Sequence, residues 1–271
     1  MASNLSCVGL GVADEEEFHR LLDTIVPEAE HIGRHRGVEV RRREDASGAR
    51  IIVGIKGREL VGLLPSLASA PGVRFGPLEP VADDAHLADL LDGEGEVWTR
   101  AVVELEQRDL LAGGRHPGGR GALVAFGRGV TVHADADAFA ESHDSLLDPD
   151  ADPDHPPPEL GTDSGIEWPL RMAAESFISY GAFGDASAEA RLAATVLGAE
   201  RRVNTATGLP FIVARVRMAD AELDICLDGD EFREPPRPGQ IVAGEVFLVA
   251  SLAGDGAAAP PKRRLRFLGR R

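Results

Sequence analysis

Eight histidines, 45 carboxylates and two cysteines are the side chains of this 271-residue chain able to ligate a metal or move a proton. Their spacing decides what they can do together. Among His19, His31, His35, His86, His116, His133, His143 and His155, only His31 and His35 invite the comparison with a zinc-hydrolase helix. Gly33 stands between them in a turn-and-strand stretch and no Glu completes the pattern, so both are expected at the surface. Asp148, Asp150, Asp152, Asp154 and Glu159 hold places 1, 3, 5, 7 and 12 of a calcium-loop register, which would gather oxygens around one hard cation. The sixth place needs a glycine for its sharp turn and holds Pro153, and Pro156, Pro157 and Pro158 follow, so a solvated acidic linker is the expectation. Cys7 and Cys226 are too few for a disulfide framework and lack zinc spacing; a reducing cytoplasm fits, and Cys7 reads as a small buried hydrophobe. There is no serine elbow, no phosphate-cradling glycine loop with lysine and no nicotinamide fingerprint; Gly113, Gly114, Gly118, Gly119 and Gly121 read as a flexible loop. The chain therefore offers no catalytic, metal or cofactor-binding set.

The contact-making candidates are cations. Arg201, Arg202, Arg215 and Arg217 can form a basic strip on the outer face of two paired strands, and Lys262, Arg263, Arg264, Arg266, Arg270 and Arg271 make a basic tail. Such a tail suits phosphates, a membrane surface or an acidic protein. It can equally be a solubilising end. The nearest acidic partner is the chain's own stretch 134–167, which carries eleven Asp or Glu, no Lys or Arg and five prolines within a net charge of -16. So acidic a segment buries too little apolar surface to offset its chain entropy. Partner binding, most readily to a protein and including self-association of tail and connector, follows from this pairing of charges.

The elements that must position these residues are read from apolar periodicity. Residues 5–12 read as a buried strand, and Asp14 caps a helix opened by Glu15, Glu16 and Glu17, faced inward by Phe18, Leu21, Leu22 and Ile25 and stopped at Pro27. Val38 to Glu44 and Ala49 to Ile55 form a hairpin around Asp45–Gly48, with a further strand at Leu60 to Leu64. Val81 to Leu91 has helical character, Val97 to Leu105, Ala122 to Phe126 and Val130 to His133 are strands, and Asp135 to Leu147 holds a short helix. Trp168 to Tyr180 reads as an amphipathic helix. From Thr195 the pattern is all strand: Thr195 to Arg201, Phe211 to Met218, Glu222 to Leu227, and Ile241 to Leu252 with a bend at Ala243–Gly244. That last stretch is too short, and too interrupted by Glu245, to span a membrane, and no signal peptide is expected at the N-terminus.

Two resemblances follow. Residues 5–64, with Cys7 to Asp14 as an opening strand and Asp45–Gly48 as a hairpin turn, resemble the vicinal oxygen chelate family of glyoxalases and bleomycin-resistance proteins, built from paired βαβββ modules. That family's metal-dependent members carry His where this chain has Cys7 and Glu near Ile52, so the resemblance implies a chelate fold without its metal. Residues 195–252 resemble a small Greek-key barrel of the oligonucleotide/oligosaccharide-binding type, in which aromatics and a basic groove bind single strands. The expectation is an α+β protein: a domain of βαβββ-like modules at 1–133, an acidic connector at 134–167, a helical segment at 168–194, a barrel at 195–252, and a linker and tail at 253–271. Its expected function is binding without catalysis, to a protein first; the alternatives are a metal-free chelate-fold binder of a small molecule in the N-terminal cavity or a degenerate enzyme, and a binder of single-stranded nucleic acid through the barrel.

Overall fold

Asp14 starts the first helix. In the computed structural model, which describes residues 2–111, 116–152, 155, 157, 167–184, 186–219 and 221–253, its carboxylate accepts the Glu17 amide at 2.8 Å. The Glu17 carboxylate returns the favour to the Ala13 amide, also at 2.8 Å, and three acids face the positive end of the dipole of α1 (Glu15–Glu28). Pro27 lies inside the last turn rather than beyond it. The strand expected at 5–12 is a 3-10 turn, Ser6–Val8. Ser3 and Ser6 wind it by each accepting the other's amide, at 3.0 and 2.9 Å, and Gly9 closes it at φ 66°, where a Cβ would stand 2.7 Å from the Leu209 carbonyl oxygen.

Four antiparallel strands follow in chain order: β1 (Glu30–His35), β2 (Val38–Glu44), β3 (Ala49–Lys56) and β4 (Glu59–Leu67). The hairpin at Asp45–Gly48 and the strand after it stand where the sequence puts them. This order, one turn and one helix followed by four strands, has no opening strand.

The second sheet has nine strands: β5 (Val73–Pro80), β6 (Ala85–Leu91), β7 (Val97–Leu105), β8 (Gly119–His133), β9 (Ser176–Ser179), β10 (Glu189–Val203), β11 (Pro210–Met218), β12 (Ala221–Asp228) and β13 (Ile241–Leu252). Its spine is the antiparallel ribbon of β8 and β13, paired from Gly121–Leu252 to His133–Ile241. The outer edge of β8 takes β5 at Gly119–Gly121 and then β12, in parallel, at Val124–Phe126. That of β13 takes β10 at Ile241–Phe247 and then β7, in parallel, at Val249–Ala250. Because β5–β6–β7 and β10–β11–β12 are both antiparallel meanders, two five-stranded circuits close, one at each end of the ribbon. Each is a meander plus a long strand, and each long strand completes the other's circuit. Inward residues of both, such as Phe75, Leu90, Leu123, Leu192, Ile212 and Leu248, merge into one apolar interior.

The interleaving corrects the expected division of the chain. Stretch 134–167 marks a change of composition, but strands from either side of it hydrogen-bond along the ribbon, so 1–133 and 195–252 do not close separately. Architecture is mostly β with two sheets and few helices. Val81 to Leu91 holds strand, not helix: after a bend at 81–84, Ala85–Leu91 is β6, paired on both edges, and the buried row His86, Ala88 and Leu90 has the period of two of a strand. Trp168 to Tyr180 holds no α-helix: after a turn at 174–175, Ser176–Ser179 is β9 and Tyr180 opens a 3-10 turn, because the edge of β10 at Ala190–Ala193 offers Ser176–Ser179 a ladder that helix propensity does not outweigh. A short helix, α2 (Ala136–Glu141), does follow Asp135, whose side chain accepts the Ala138 amide at 2.8 Å.

The first sheet is tied to the second by an apolar layer and by one buried ion pair. Leu21, Ile25, Val40, Ile52 and Leu64 pack with Phe126, Phe211, Val213, Cys226 and Val249. Beside them Glu106, 2% exposed, accepts the Ser66 hydroxyl at 2.5 Å and lies 3.3 Å from the Arg50 guanidinium. Gln107 is also buried and exchanges bonds with the backbone of Leu252.

Candidate functional site

The 3-10 turn Arg108–Leu110 after β7 sets its side chains closely against Gly33 and Gly54 of the first sheet. A Cβ on Gly33 would lie 2.7 Å from Leu110, and one on Gly54 2.9 Å from Asp109. That close approach leaves a pocket of about 350 Å³ between the two sheets. The β1–β2 turn contributes His35, Arg36 and Val38; the β5–β6 loop contributes Pro80, Ala82 and Asp83; His86, Arg108, Asp109 and Leu111 complete the lining.

His86 is the end of the inward row of β6, beside Pro80 on β5 and Val103 on β7, and is 5% exposed. Its Nδ1 is buried without a hydrogen-bond partner among the described residues, and so is Nε2 of His35. Buried polar atoms are almost always satisfied, so two unsatisfied imidazoles lining one pocket are a feature to explain. Burial, then the positive charge of Arg108 and the nearby His116, hold His86 below the ordinary histidine range, which keeps its ring neutral. The Arg108 guanidinium is braced at 2.8 Å by Glu104, whose own pKa is raised, mainly by burial and against the pull of Arg108. The lining groups can donate and accept hydrogen bonds and offer charge; they include no hydroxyl or thiol nucleophile.

The sequence-predicted arginine strip is dispersed. Arg201 and Arg202 alternate on β10 and point to opposite faces: Arg201 donates to the carbonyls of Gly229, Phe232 and Arg233, and Arg202 to Glu200 and the Ser47 carbonyl. Arg215 pairs with Glu222 and Asp224, and Arg217 with Glu175 at 2.8 Å. All four are engaged within the chain. The outward face of β11 and β12, through Phe211, Val213 and Cys226, lies under the first sheet and its helix. Lys262, Arg263, Arg264, Arg266, Arg270 and Arg271 lie outside the described residues, as do Asp154 and Glu159 of the calcium register, the rest of 158–166 and residues 153 and 156 in the connector, and Gly113 and Gly114.

Cys7 donates to the Gly127 carbonyl at 3.3 Å and burial pushes its thiol up to about 12; burial raises the Cys226 thiol as well. Neither is a thiolate at neutral pH. His31 is exposed, but His35 is half-buried with its Nε2 enclosed, against the expectation of a surface position. Nothing in the sequence marks His86 beyond a polar residue within an apolar run. Among the described residues no group of three or more His, Cys, Asp or Glu is arranged to hold a metal ion, and no helix is long and apolar enough to cross a membrane. No family model, curated protein or solved structure matches this chain.

Proposed function

We propose that this protein is a binding protein that captures a small polar molecule, carrying at least one acidic group, in the pocket between the β1–β2 turn and β6. The observation that carries the reading is that His35 and His86, each with one buried nitrogen (Nε2 and Nδ1) lacking a hydrogen-bond partner among the described residues, line the same pocket of about 350 Å³ as Arg108. A ligand satisfies both imidazoles and meets a positive charge, recovering the cost of two orphaned polar atoms.

The barrel resemblance fits the closed circuits: the four strands at 189–252 find their fifth in β8, which runs parallel to β12, and the first circuit repeats the plan with β13. Two barrels of the oligonucleotide/oligosaccharide type sharing one ribbon is our reading of the fold. Ligands of such barrels enter at strand ends and loops, which is where the pocket lies. A nucleic-acid role gains no support, since the β11–β12 face is covered and its arginines are paired. A protein partner held by connector and tail needs the basic tail, which lies outside the described residues.

The reading is tested by thermal-shift screening of the whole chain against small carboxylates and zwitterions, followed by calorimetry on the hits. A one-to-one ligand whose affinity falls about tenfold or more in both His35→Ala and His86→Phe supports it, that being the loss of one hydrogen bond to a charged group. Hits indifferent to both substitutions place the ligand elsewhere and defeat it.

A further inference from the structure

Cross-strand arginines in this protein face acids. Asp89 opposes Arg100, Glu30 opposes Arg42, Glu44 opposes Arg50, Arg215 opposes Asp224, and Arg191 opposes Glu245 on the strand pair that corresponds, in the second circuit, to β5–β8. On β5–β8 itself Arg74 stands directly opposite Arg120, the one arginine–arginine pair in the strand registers of the described residues. Like charges in facing positions destabilise a sheet. No ion pair or hydrogen bond of the described residues relieves either guanidinium.

Both arginines line a cleft of about 570 Å³ with Gly72, Gly93 and Asp92. The Asp92 carboxylate accepts the amides of Glu94, Gly95 and Glu96 at 2.8 to 2.9 Å, and these bonds, with a smaller contribution from the charge of Arg74, hold its pKa below the usual carboxylate range. Gly95 lets the Arg74 guanidinium lie against that turn, where a Cβ would be 3.4 Å from it. At Gly72 a Cβ would meet the Glu222 carbonyl at 2.3 Å and Arg215 at 2.5 Å, so a third guanidinium borders the cleft, neutralised by Glu222 and Asp224. Two guanidinium forks, neither held by an ion pair or hydrogen bond among the described residues, line one concave surface and match the several acceptor oxygens of a tetrahedral oxyanion, which guanidinium binds in bidentate fashion.

We propose that the Arg74–Arg120 cleft binds a phosphate-type oxyanion carried by a small molecule. This site is separate from the histidine pocket and stands or falls independently of it. The probes are inorganic phosphate and phenyl phosphate, titrated into the whole chain at ionic strength held constant with chloride. Saturable one-to-one binding, with phenyl phosphate at least as tight as phosphate and affinity lowered about tenfold or more by Arg74→Met or Arg120→Met, is expected. In phosphate-free buffer both variants melt no lower than the native chain, because each removes a repulsion. A response equal to that of chloride, phosphate binding that survives the double substitution, or variants that melt lower without phosphate, overturns the proposal. So does a short single-stranded oligonucleotide that binds tighter than phenyl phosphate and depends on the same two arginines, since the surface then serves nucleic acid.

Discussion

Replacing His86 with phenylalanine separates binding from stability. In the unliganded protein the buried Nδ1 has no partner, and an orphaned polar atom costs about 1–3 kcal/mol. A phenyl ring of similar shape removes that cost. Its extra bulk costs something in a filled interior, but His86 ends its row at an open pocket of about 350 Å³. The expected net effect is a stabilisation of about 1 kcal/mol, or roughly 2–4 °C in melting temperature for a chain of this size. Acidity supplies a second readout. Burial, Arg108 and His116 hold His86 below its ordinary value of 6.5, so the unfolded chain takes up this proton first. The native chain therefore loses stability as pH falls below that value, a loss that His86→Phe abolishes. Urea unfolding of both proteins at about pH 8 and about pH 5.5 measures both effects. A variant destabilised by about 1 kcal/mol or more at the higher pH, with unchanged denaturant slope, would refute the idea that the nitrogen is unsatisfied.

Glu106→Ala strands the buried Ser66 hydroxyl and removes one of the two carboxylates of Arg50; since Arg50 keeps Glu44 at 2.7 Å, the expected cost is about 3 kcal/mol, at the lower end for a broken buried pair. Glu106→Gln, still an acceptor for Ser66, should lose about half of that in urea denaturation, and native-like stability of the alanine variant would show that the pair does not tie the sheets. Asp45 is 5% exposed; burial pushes its pKa up, but hydrogen bonds from Ser47 and Thr205 prevail and hold it below 3.8. Its contribution is complete above that value and disappears as pH falls through the lower native one, so Asp45→Asn should flatten the acid limb of a pH–stability curve; an unchanged limb counts against this balance.

Much of the local structure was legible in the chain. Asp14 followed by three glutamates predicts α1, Asp45–Gly48 predicts the hairpin, and Ile241–Leu252 matches β13 residue for residue. These signals act over a few residues: a side-chain cap, a turn, an alternation. The errors arise where pairing overrides composition. Val81 to Leu91 and Trp168 to Tyr180 have helical composition, yet Ala85–Leu91 and Ser176–Ser179 are held extended by ladders to the strands next to them in the chain. At Ser3, Ser6 and Gly9 a capping signal was present and the apolar run over it was misleading.

By itself, then, the sequence determined the caps, most strands and the burial of Cys7. Only tertiary structure decided which strands share a sheet, because β8 and β13 meet across more than a hundred residues and close two circuits no local pattern announces. The same long-range pairing decided the sites. It brought His35 to His86 and Arg74 to Arg120, and it spent Arg201, Arg202, Arg215 and Arg217 on internal partners, since a side chain's chemistry depends on neighbours that arrive from elsewhere in the chain.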